Sequence, residues 1–414
     1  MSMIQFWLPP EDPDLLGIHS SRDPLGFLSI WSQRGRAVVR TLTEQTNEAR
    51  GFQLLVTAFR LWEDFQAKHA GAKVCVEEFF LLTEQAFAYS TQSRTSGWPL
   101  PGRERVVKFT RDGTPRLSLK TGILANQLSN GVWGLYRGAA FRSGILHDSM
   151  RCLSASFRSA MGDNTRLDRR LRDQLFNAIL EVHENDDQMV EFSLHGAKQL
   201  PDQLADILAK LPQKSLLRRY LFPPDSLEER VARRLYENRV AFGSDTSYRR
   251  VFVEQCIREF PEERDAFKQI LRCENFVAPV EKVFRHLFCH AGNRVTSAAS
   301  AMDIDLSAFR EAFNEFQNSG PYSGGTVQRF ANYRDGINLS SKEEFIRSII
   351  ACHRKVATDR RREPWITDET DKLQPLVELD DGAEQEILDA IPGRTWINDY
   401  YLMPLLSVYT RLRA

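Results

Sequence analysis

The chain of 414 residues has no excess charge of either sign, because 55 Lys and Arg residues balance 55 Asp and Glu residues. A general electrostatic attraction to nucleic acid or to an anionic membrane is therefore excluded, and any site for a polyanion must be a local patch. Lysine itself is scarce, with 12 residues against 43 arginines. The excess of arginine fits forked recognition of phosphates and carboxylates, and it is also the ordinary result of a GC-rich genome.

The sequence also lacks segments that would direct the chain to a membrane. Residues 1–14 contain no basic stretch followed by an apolar one, which is the pattern of a secretory signal. No window approaches 18 uninterrupted apolar residues, so no membrane-spanning helix is predicted. The cysteines are isolated and form no Cys-x-x-Cys pair, as is typical of reduced thiols. They are Cys75, Cys152, Cys256, Cys273, Cys289 and Cys352. The sequence predicts a cytoplasmic protein without disulfide bonds.

None of the common catalytic motifs is complete. No glycine-rich loop ends in Gly-Lys-Ser/Thr, and no Gly-x-Ser-x-Gly turn is present. No lysine has a carboxylate two positions before it, which excludes the usual carboxylate-spacer-lysine arrangement of metal-dependent nucleases. His353-Arg354-Lys355 begins like the His-x-Lys motif of phospholipase-D-type nucleases, but Asp359 follows one residue early and on a predicted helix. The sequence therefore names no reaction and predicts no cofactor.

One group of residues has the spacing of metal ligands. His286, Cys289 and His290 fall at i, i+3 and i+4 on a predicted helix, and Cys352-His353 could supply further ligands from another helix. The general base of a zinc protease is missing, because Leu287 stands where glutamate is needed. The favoured interpretation is a core-facing helix with a buried thiol and hydrogen-bonded imidazoles, so no metal site is predicted.

Hydrophobic periodicity predicts a mainly α fold of multi-helix bundle domains. In residues 47–68, Phe52, Leu55, Phe59 and Trp62 recur at steps of three and four residues, which is typical of a helix buried along one face. The other predicted helices cover 74–89, 122–135, 138–159, 166–183, 202–211, 249–259, 262–272, 275–290 and 341–360.

Breaks in this pattern suggest four segments. Residues 1–160 form an N-terminal helical domain, and residues 161–222 form a helical connector. The pair Pro223-Pro224 then interrupts the helical pattern. Residues 223–320 form a second helical domain, and residues 321–414 form a C-terminal helical region.

A basic β-hairpin is predicted at residues 103–120. Two short predicted strands, 105–109 and 116–119, flank residues 110–115, in which Asp112-Gly113 is a pair suited to a hairpin turn. The segment has two acidic residues and six basic ones, a local excess that suits phosphate binding. The basic residues are Arg103, Arg105, Lys108, Arg111, Arg116 and Lys120. The nearby Trp98 could stack on an exposed base. Alternatively, the charges keep the hairpin soluble and block edge pairing.

Residues 294–316 have the rhythm of a helix-turn-helix. A first helix would contain Val295, residues 303–305 would form the turn, and a second helix at 307–316 would pack through Phe309 and Phe313. The second helix offers Arg310 to DNA but also carries two glutamates, which repel phosphate. A packing motif or a degenerate winged helix is therefore the favoured interpretation.

Four stretches of the sequence carry a further signal. They are Asp23-Pro24-Leu25-Gly26, Ala58-Phe59-Arg60-Leu61-Trp62, residues 124–146 and Glu363-Pro364-Trp365-Ile366. In this order they resemble a family of uncharacterised bacterial proteins that are often encoded in anti-phage defence islands. The resemblance covers about a third of the chain, and its motifs are structural. It implies a setting in bacterial immunity beside other protein subunits, and it implies no reaction and no site residues.

The sequence thus predicts a non-catalytic, DNA-associated subunit of a multi-protein bacterial anti-phage defence complex. Its partners would be other protein subunits and DNA, with no membrane. Two alternatives stay open. The chain could be a nuclease or another hydrolase whose site is assembled from distant residues, or it could be a pure protein-protein scaffold.

Overall fold

The structure is a computed structural model that describes most of the chain. The described residues are 23–95, 97–112, 115–162, 167–185, 190–192, 199–244, 247–368, 370–377 and 392–413.

Amphipathic helices account for most of the described chain, and the predicted mainly α fold is confirmed. The helices form because apolar residues recur at helical spacing and bury one face against neighbouring helices. They belong to two compact units that interleave along the sequence. Unit 1 comprises the described residues of 1–38 and 238–400, and unit 2 comprises those of 39–237 and 401–414. The chain therefore passes between the units three times.

The helices of unit 2 are α2 to α11 and α19. Their bounds are α2 Ala49–Lys68, α3 Val76–Arg94, α4 Arg103–Arg111, α5 Gln127–Asn130, α6 Val132–Arg142, α7 Ala155–Met161, α8 Arg169–Glu184, α9 Gln199–Lys210, α10 Lys214–Leu221, α11 Leu227–Glu237 and α19 Leu402–Arg413.

The core of unit 2 is built around α2 and α3, which are buried along most of their length. α2 packs against α3 and α6, and α3 packs against α9. An aromatic cluster joins three of these helices, because Phe59 of α2 lies 5.8 Å from Phe80 of α3 and 5.6 Å from Trp133 of α6. Aromatic pairs at such distances add to the stability gained from apolar burial. The cluster fixes α3, against which the predicted binding segment packs.

The helices of unit 1 are α1 and α12 to α18. Their bounds are α1 Leu28–Val38, α12 Arg239–Ser244, α13 Ser247–Glu259, α14 Arg264–His286, α15 Val295–Ala301, α16 Leu306–Gln317, α17 Gly325–Gly336 and α18 Lys342–Asp359. A 3₁₀ turn at Leu287–His290 follows α14.

Unit 1 is organised around α14, which packs against α1, α13, α16 and α18. Its buried Glu274 accepts hydrogen bonds from both the backbone and the amide of Asn398, from the backbone of Ile397 and from the hydroxyl of Tyr400. Desolvation by burial raises the pKa of this carboxyl group. These bonds attach the segment before α19 to the core of unit 1. Breaking them would leave a buried carboxyl group without a partner, which would cost roughly several kcal/mol.

Two short antiparallel ladders complete the described structure. β1, Arg116–Leu117, pairs with β2, Val190–Glu191. β3, Ile366–Thr367, pairs with β4, Gln374–Pro375. Within the described ranges, no helix combines the length and the apolar composition needed to cross a bilayer.

Several predicted helix bounds are wrong in detail. The helix predicted at 138–159 ends at Arg142, where Gly144 follows with a φ of 74° that few other residues adopt, and helix resumes only at Ala155. Residues 122–135, predicted as one helix, instead form a loop, the short helix α5 and the first residues of α6. The helices predicted at 262–272 and 275–290 are the single helix α14. The four predicted segments remain a prediction, whereas contacts in the structure divide the chain into the two units described above.

Candidate nucleic-acid interface

The predicted β-hairpin at 103–120 is wrong, because its first strand is the helix α4. Of the described residues in this segment, Arg116–Leu117 alone forms a strand, and it pairs with Val190–Glu191 rather than with residues 105–109. Val106 and Phe109 are three residues apart, so they face the same side of a helix, whereas in a strand they would point to opposite faces. Val106 is fully buried, and the ring of Phe109 meets Tyr89 of α3 edge to face at 6.4 Å. Packing against α3 therefore stabilises this segment as a helix rather than as a strand.

The start of α4 depends on Gly102. This residue has a φ of 88°, in the left-handed region that glycine adopts without strain. A Cβ atom at this position would lie 2.7 Å from the backbone oxygen of Ile123. No side chain caps the first turn, so the leading N–H groups of α4 keep their capacity to bind an anion.

The expectation that Trp98 stacks on a base is wrong. Its side chain is fully buried, and its indole N–H donates to the carbonyl oxygen of Pro101 at 2.8 Å. Its backbone N–H donates to the side chain of Gln92 in α3. Trp98 is therefore a structural residue that holds the loop before α4 against α3.

The exposed face of α4 carries three cations and one carboxylate. Arg103, Lys108 and Arg111 are exposed, and they line a shallow surface depression of about 480 Å³ together with Glu104 and Val107. They share this face because their helical positions fall within about 140° of each other at 100° per residue. From Arg103 to Arg111 the backbone rises by about 12 Å.

These cations are available for a ligand. Among the residues that the structure describes, no carboxylate lies within ion-pair distance of Arg103, Arg105 or Lys108. Arg111 lies 3.9 Å from its neighbour Asp112, and both side chains are more than half exposed. Such exposed pairs contribute about 0 to 1 kcal/mol, so a phosphate can replace the carboxylate at little cost. Arg105 lies on the flank of the helix and is half-buried.

The two remaining basic residues of the predicted segment lie just after α4. Arg116 is in β1, where it is exposed, and Lys120 is exposed in the following loop. Arg116 is tied to α3 through its backbone, because its carbonyl oxygen accepts a hydrogen bond from the hydroxyl of Tyr89. All six predicted basic residues therefore belong to unit 2, and four of them lie on one helix.

A buried polar network fixes the loop that follows β1. Gln85 of α3 both donates to and accepts from the backbone of Ser118, and Gln127 accepts from the side chain of Gln85 and from the backbone of Ile123. Gln127 also donates to Glu84, whose other oxygen accepts the backbone N–H of Val132. This network is not predicted from the sequence. The only signal in the sequence was that the polar residues 83–85 interrupt the apolar stretch 79–89 of α3.

The two helices of the predicted helix-turn-helix are present in the structure as α15 and α16. Asp305 caps α16 by accepting hydrogen bonds from the N–H groups of Ser307 and Ala308. Arg310 is exposed, but its guanidinium donates to the carbonyl oxygen of Leu339 at 3.2 and 2.7 Å. It lies in unit 1, whereas α4 lies in unit 2.

The candidate metal ligands do not form a metal site in the part of the chain that the structure describes, where no group of three or more His, Cys, Asp or Glu side chains could hold an ion. The rings of His286 and His290 lie 5.0 Å apart. The interpretation of Cys289 as a buried thiol is wrong, because it lies exposed in the 3₁₀ turn after α14. Desolvation, with a smaller effect of His290, lowers the pKa of His286. His353 cannot complete a ligand set, because its ring nitrogens bond to the carbonyl oxygen of Pro24 and the N–H of Trp365.

The two units carry opposite formal charges although the chain is neutral. The sequence of unit 2 contains 30 Lys and Arg against 24 Asp and Glu, a formal charge of +6. The rest of the chain contains 25 against 31, a formal charge of −6. α4 is therefore carried by the basic unit, which favours the approach of a polyanion to this part of the molecule.

Comparisons with known proteins return no match, since no family model, no curated protein and no solved structure is significantly similar to this chain.

Proposed function

We propose that this chain is a DNA-associated protein that binds the phosphate backbone of duplex DNA through the exposed face of α4. The observation that carries the proposal is the set of three exposed cations, Arg103, Lys108 and Arg111, on one face of a helix in the basic unit. Each phosphate that such a side chain neutralises releases counterions and so favours binding.

The mode of contact follows from what surrounds α4. Trp98 and Tyr89 are buried, and Phe109 packs against Tyr89, so these rings cannot stack on an unpaired base. Long cationic side chains at the surface reach phosphates, and contacts to phosphates carry no sequence information. Binding is therefore independent of sequence and depends strongly on salt.

We further propose that the protein acts as a non-catalytic subunit of a multi-protein bacterial anti-phage defence complex. This part of the proposal is supported only by the resemblance of four sequence stretches to a family encoded in defence islands. Co-purification with the products of neighbouring genes tests it, and a chain that elutes alone under all conditions contradicts it.

The DNA-binding proposal is tested by Arg103→Ala/Lys108→Ala/Arg111→Ala. We expect its affinity for a duplex of about 25 base pairs to fall, and the slope of log Kd against log salt to decrease by about two to three, because up to three phosphate contacts are lost. Fluorescence anisotropy from 50 to 200 mM salt measures both quantities.

The matched control is Lys73→Ala/Arg170→Ala/Lys210→Ala, which removes the same charge from exposed positions elsewhere in unit 2. We expect it to retain nearly the wild-type slope. If both triple variants weaken binding equally, the general charge of unit 2 is responsible and α4 is not the interface. If neither variant changes binding, the proposed function is wrong.

A further inference from the structure

A second group of cations surrounds a surface depression in unit 2, between α10 and α11. The depression has a volume of about 380 Å³, and three arginines line it. Arg218 and Arg219 come from α10, and Arg233 comes from α11. The sequence does not distinguish these arginines, because their spacing is the same as that of basic residues on any solvated helix face.

Arg218 is held in place by an aromatic ring, and no carboxylate in the described part of unit 2 forms an ion pair with it. Its guanidinium lies 5.3 Å from the centre of the Tyr409 ring, and one of its nitrogens donates to the Tyr409 hydroxyl at 3.5 Å. Tyr409 is 1 % exposed and packs edge to face against Phe222 at 5.2 Å. A guanidinium held in this way keeps N–H groups for a further acceptor, and its position is already fixed before a ligand arrives.

The arrangement of stacked arginines continues beyond the depression. The ring of Tyr409 meets that of Tyr236 at 6.2 Å, and the guanidinium of Arg413 lies 4.5 Å from the centre of the Tyr236 ring. Arg413 is exposed. Two arginines, Arg218 of α10 and Arg413 of α19, are thus each stacked on a tyrosine, which is an arrangement suited to several successive phosphates rather than to one isolated ion.

The charge balance of the depression indicates the kind of anion. Two carboxylates, Asp225 and Glu229, line it beside the three arginines, which leaves one net positive charge. Glu229 contacts Arg233 at 3.5 Å, whereas no carboxylate of the described residues forms an ion pair with Arg219. A monoanion with several acceptor oxygens matches this balance, and a phosphodiester is such a group.

We infer that this depression is a second phosphate-binding site, which takes a phosphodiester of the nucleic-acid backbone between Arg218, Arg219 and Arg233. The inference rests on the proposed function, since it assigns a second contact to the same ligand. Arg219 and Arg233 neutralise the phosphate, and Arg218 donates from its fixed position on Tyr409.

The test uses Arg219→Ala in the full chain, because Arg219 is exposed and its removal leaves the core unchanged. We expect the affinity for a duplex of about 25 base pairs to fall by about five- to tenfold near 0.1 M salt, and the salt slope to decrease by about one. The matched control is Arg170→Ala, which removes one exposed arginine from α8 of the same unit and should bind like the wild type. Circular dichroism melting verifies that both variants are folded.

The outcomes separate this inference from the proposed function. If Arg219→Ala binds like the wild type while the triple variant of α4 is weakened, the second site does not exist and the proposed function stands. Equal weakening by Arg219→Ala and Arg170→Ala also overturns the second site. If Arg219→Ala is weakened and the triple variant of α4 is not, the depression is the main contact and the proposed role of α4 fails.

A substitution that keeps the charge tests the stacking. Arg218→Lys retains a cation but loses the planar fork that lies over Tyr409. We expect weaker binding with an unchanged melting temperature, and wild-type affinity for this variant would contradict the role given to Arg218.

Discussion

At the scale of single residues, the buried carboxyl group of Glu84 links the segment after β1 to the core of unit 2. It has no exposed surface, and it accepts hydrogen bonds from the side chain of Gln127 and the backbone of Val132. Desolvation by burial raises its pKa to about 7, and these two hydrogen bonds oppose the shift only in part. The network that fixes the loop therefore contains a group that changes its protonation near neutral pH.

We expect Glu84→Gln to change how stability depends on pH. The unfolded carboxyl group releases its proton near pH 4.5, whereas the folded one keeps it up to about pH 7. The folded state thus binds more protons in this window, and the free energy of unfolding of the wild type falls as pH rises through it. Since glutamine does not titrate, the variant lacks this fall, which is on the order of 3 kcal/mol. Urea unfolding at pH 5 and pH 8 measures the difference between the two proteins.

The control for this experiment is Glu104→Gln, which removes an exposed carboxylate from α4. Its stability relative to the wild type should be the same at both pH values. The prediction for Glu84 is contradicted if Glu84→Gln differs from the wild type by a constant amount across the range.

Single residues also mark a limit of sequence analysis. His353 was considered as a metal ligand because of its position next to Cys352, but its ring joins the carbonyl oxygen of Pro24 to the N–H of Trp365. Pro24 lies 329 positions away in the sequence. The residues next to His353 in the sequence do not indicate so distant a partner. The sequence therefore supports only the general expectation that a core histidine is hydrogen-bonded.

At the scale of elements, α4 depends on how it begins. We expect Gly102→Ala to lower the free energy of unfolding by about 2 kcal/mol, because alanine is strained at positive φ and its Cβ would meet the backbone of Ile123. The first turn of α4 would loosen, so the salt slope of DNA binding should also decrease.

Gly71→Ala provides the matched control, since a Cβ atom at this position meets no heavy atom within 4 Å. We expect its stability to stay within about 0.5 kcal/mol of the wild type. Urea unfolding and the anisotropy titration are measured on both variants. A Gly102→Ala protein as stable as Gly71→Ala would show that the start of α4 tolerates a side chain.

The elements differ in how well the sequence predicted them. The helix predicted at 47–68 is confirmed as α2. Its four large apolar residues recur at helical spacing, so a helix buries all of them on one face. The two helices of the segment at 294–316 are likewise confirmed. The segment at 103–111 is too short for the spacing of its apolar residues to distinguish a helix from a strand. Its packing against α3 stabilises the helix.

The candidate site was predicted only in part. The local excess of basic residues was visible in the sequence, and the structure leaves those side chains on the surface. Their arrangement on a helix, the burial of Trp98 and the arginines between α10 and α11 depend on contacts between distant segments. Such contacts leave no periodic pattern in a single sequence.

At the scale of the whole molecule, the helix α19 stabilises unit 2. The main segment of this unit, residues 39–237, ends 160 or more positions before α19 begins. α19 packs against α10 and α11, and its Leu405 is fully buried. We expect Leu405→Ala to cost about 2 to 5 kcal/mol and to weaken unit 2 before unit 1. Hydrogen exchange should show faster exchange in α10 and α11 than in the wild type, with α17 and α18 unchanged.

The reciprocal variant is Ile349→Ala in α18, which is equally buried in unit 1. It should accelerate exchange in α17 and α18 and leave α10 and α11 unchanged. If either variant accelerates exchange uniformly in both units, they unfold together and this expectation is wrong.

The interleaved order of the units has a consequence for biosynthesis. A ribosome delivers the chain from its N-terminus, and domains generally begin to fold as soon as they emerge. Most of unit 2 is translated before α12 begins, yet α19, which completes its packing, follows only after residues 238–400 of unit 1. The apolar surfaces of α10 and α11 that α19 covers therefore stay open while residues 238–400 are translated, and during this interval the nascent chain is exposed to aggregation and to chaperones.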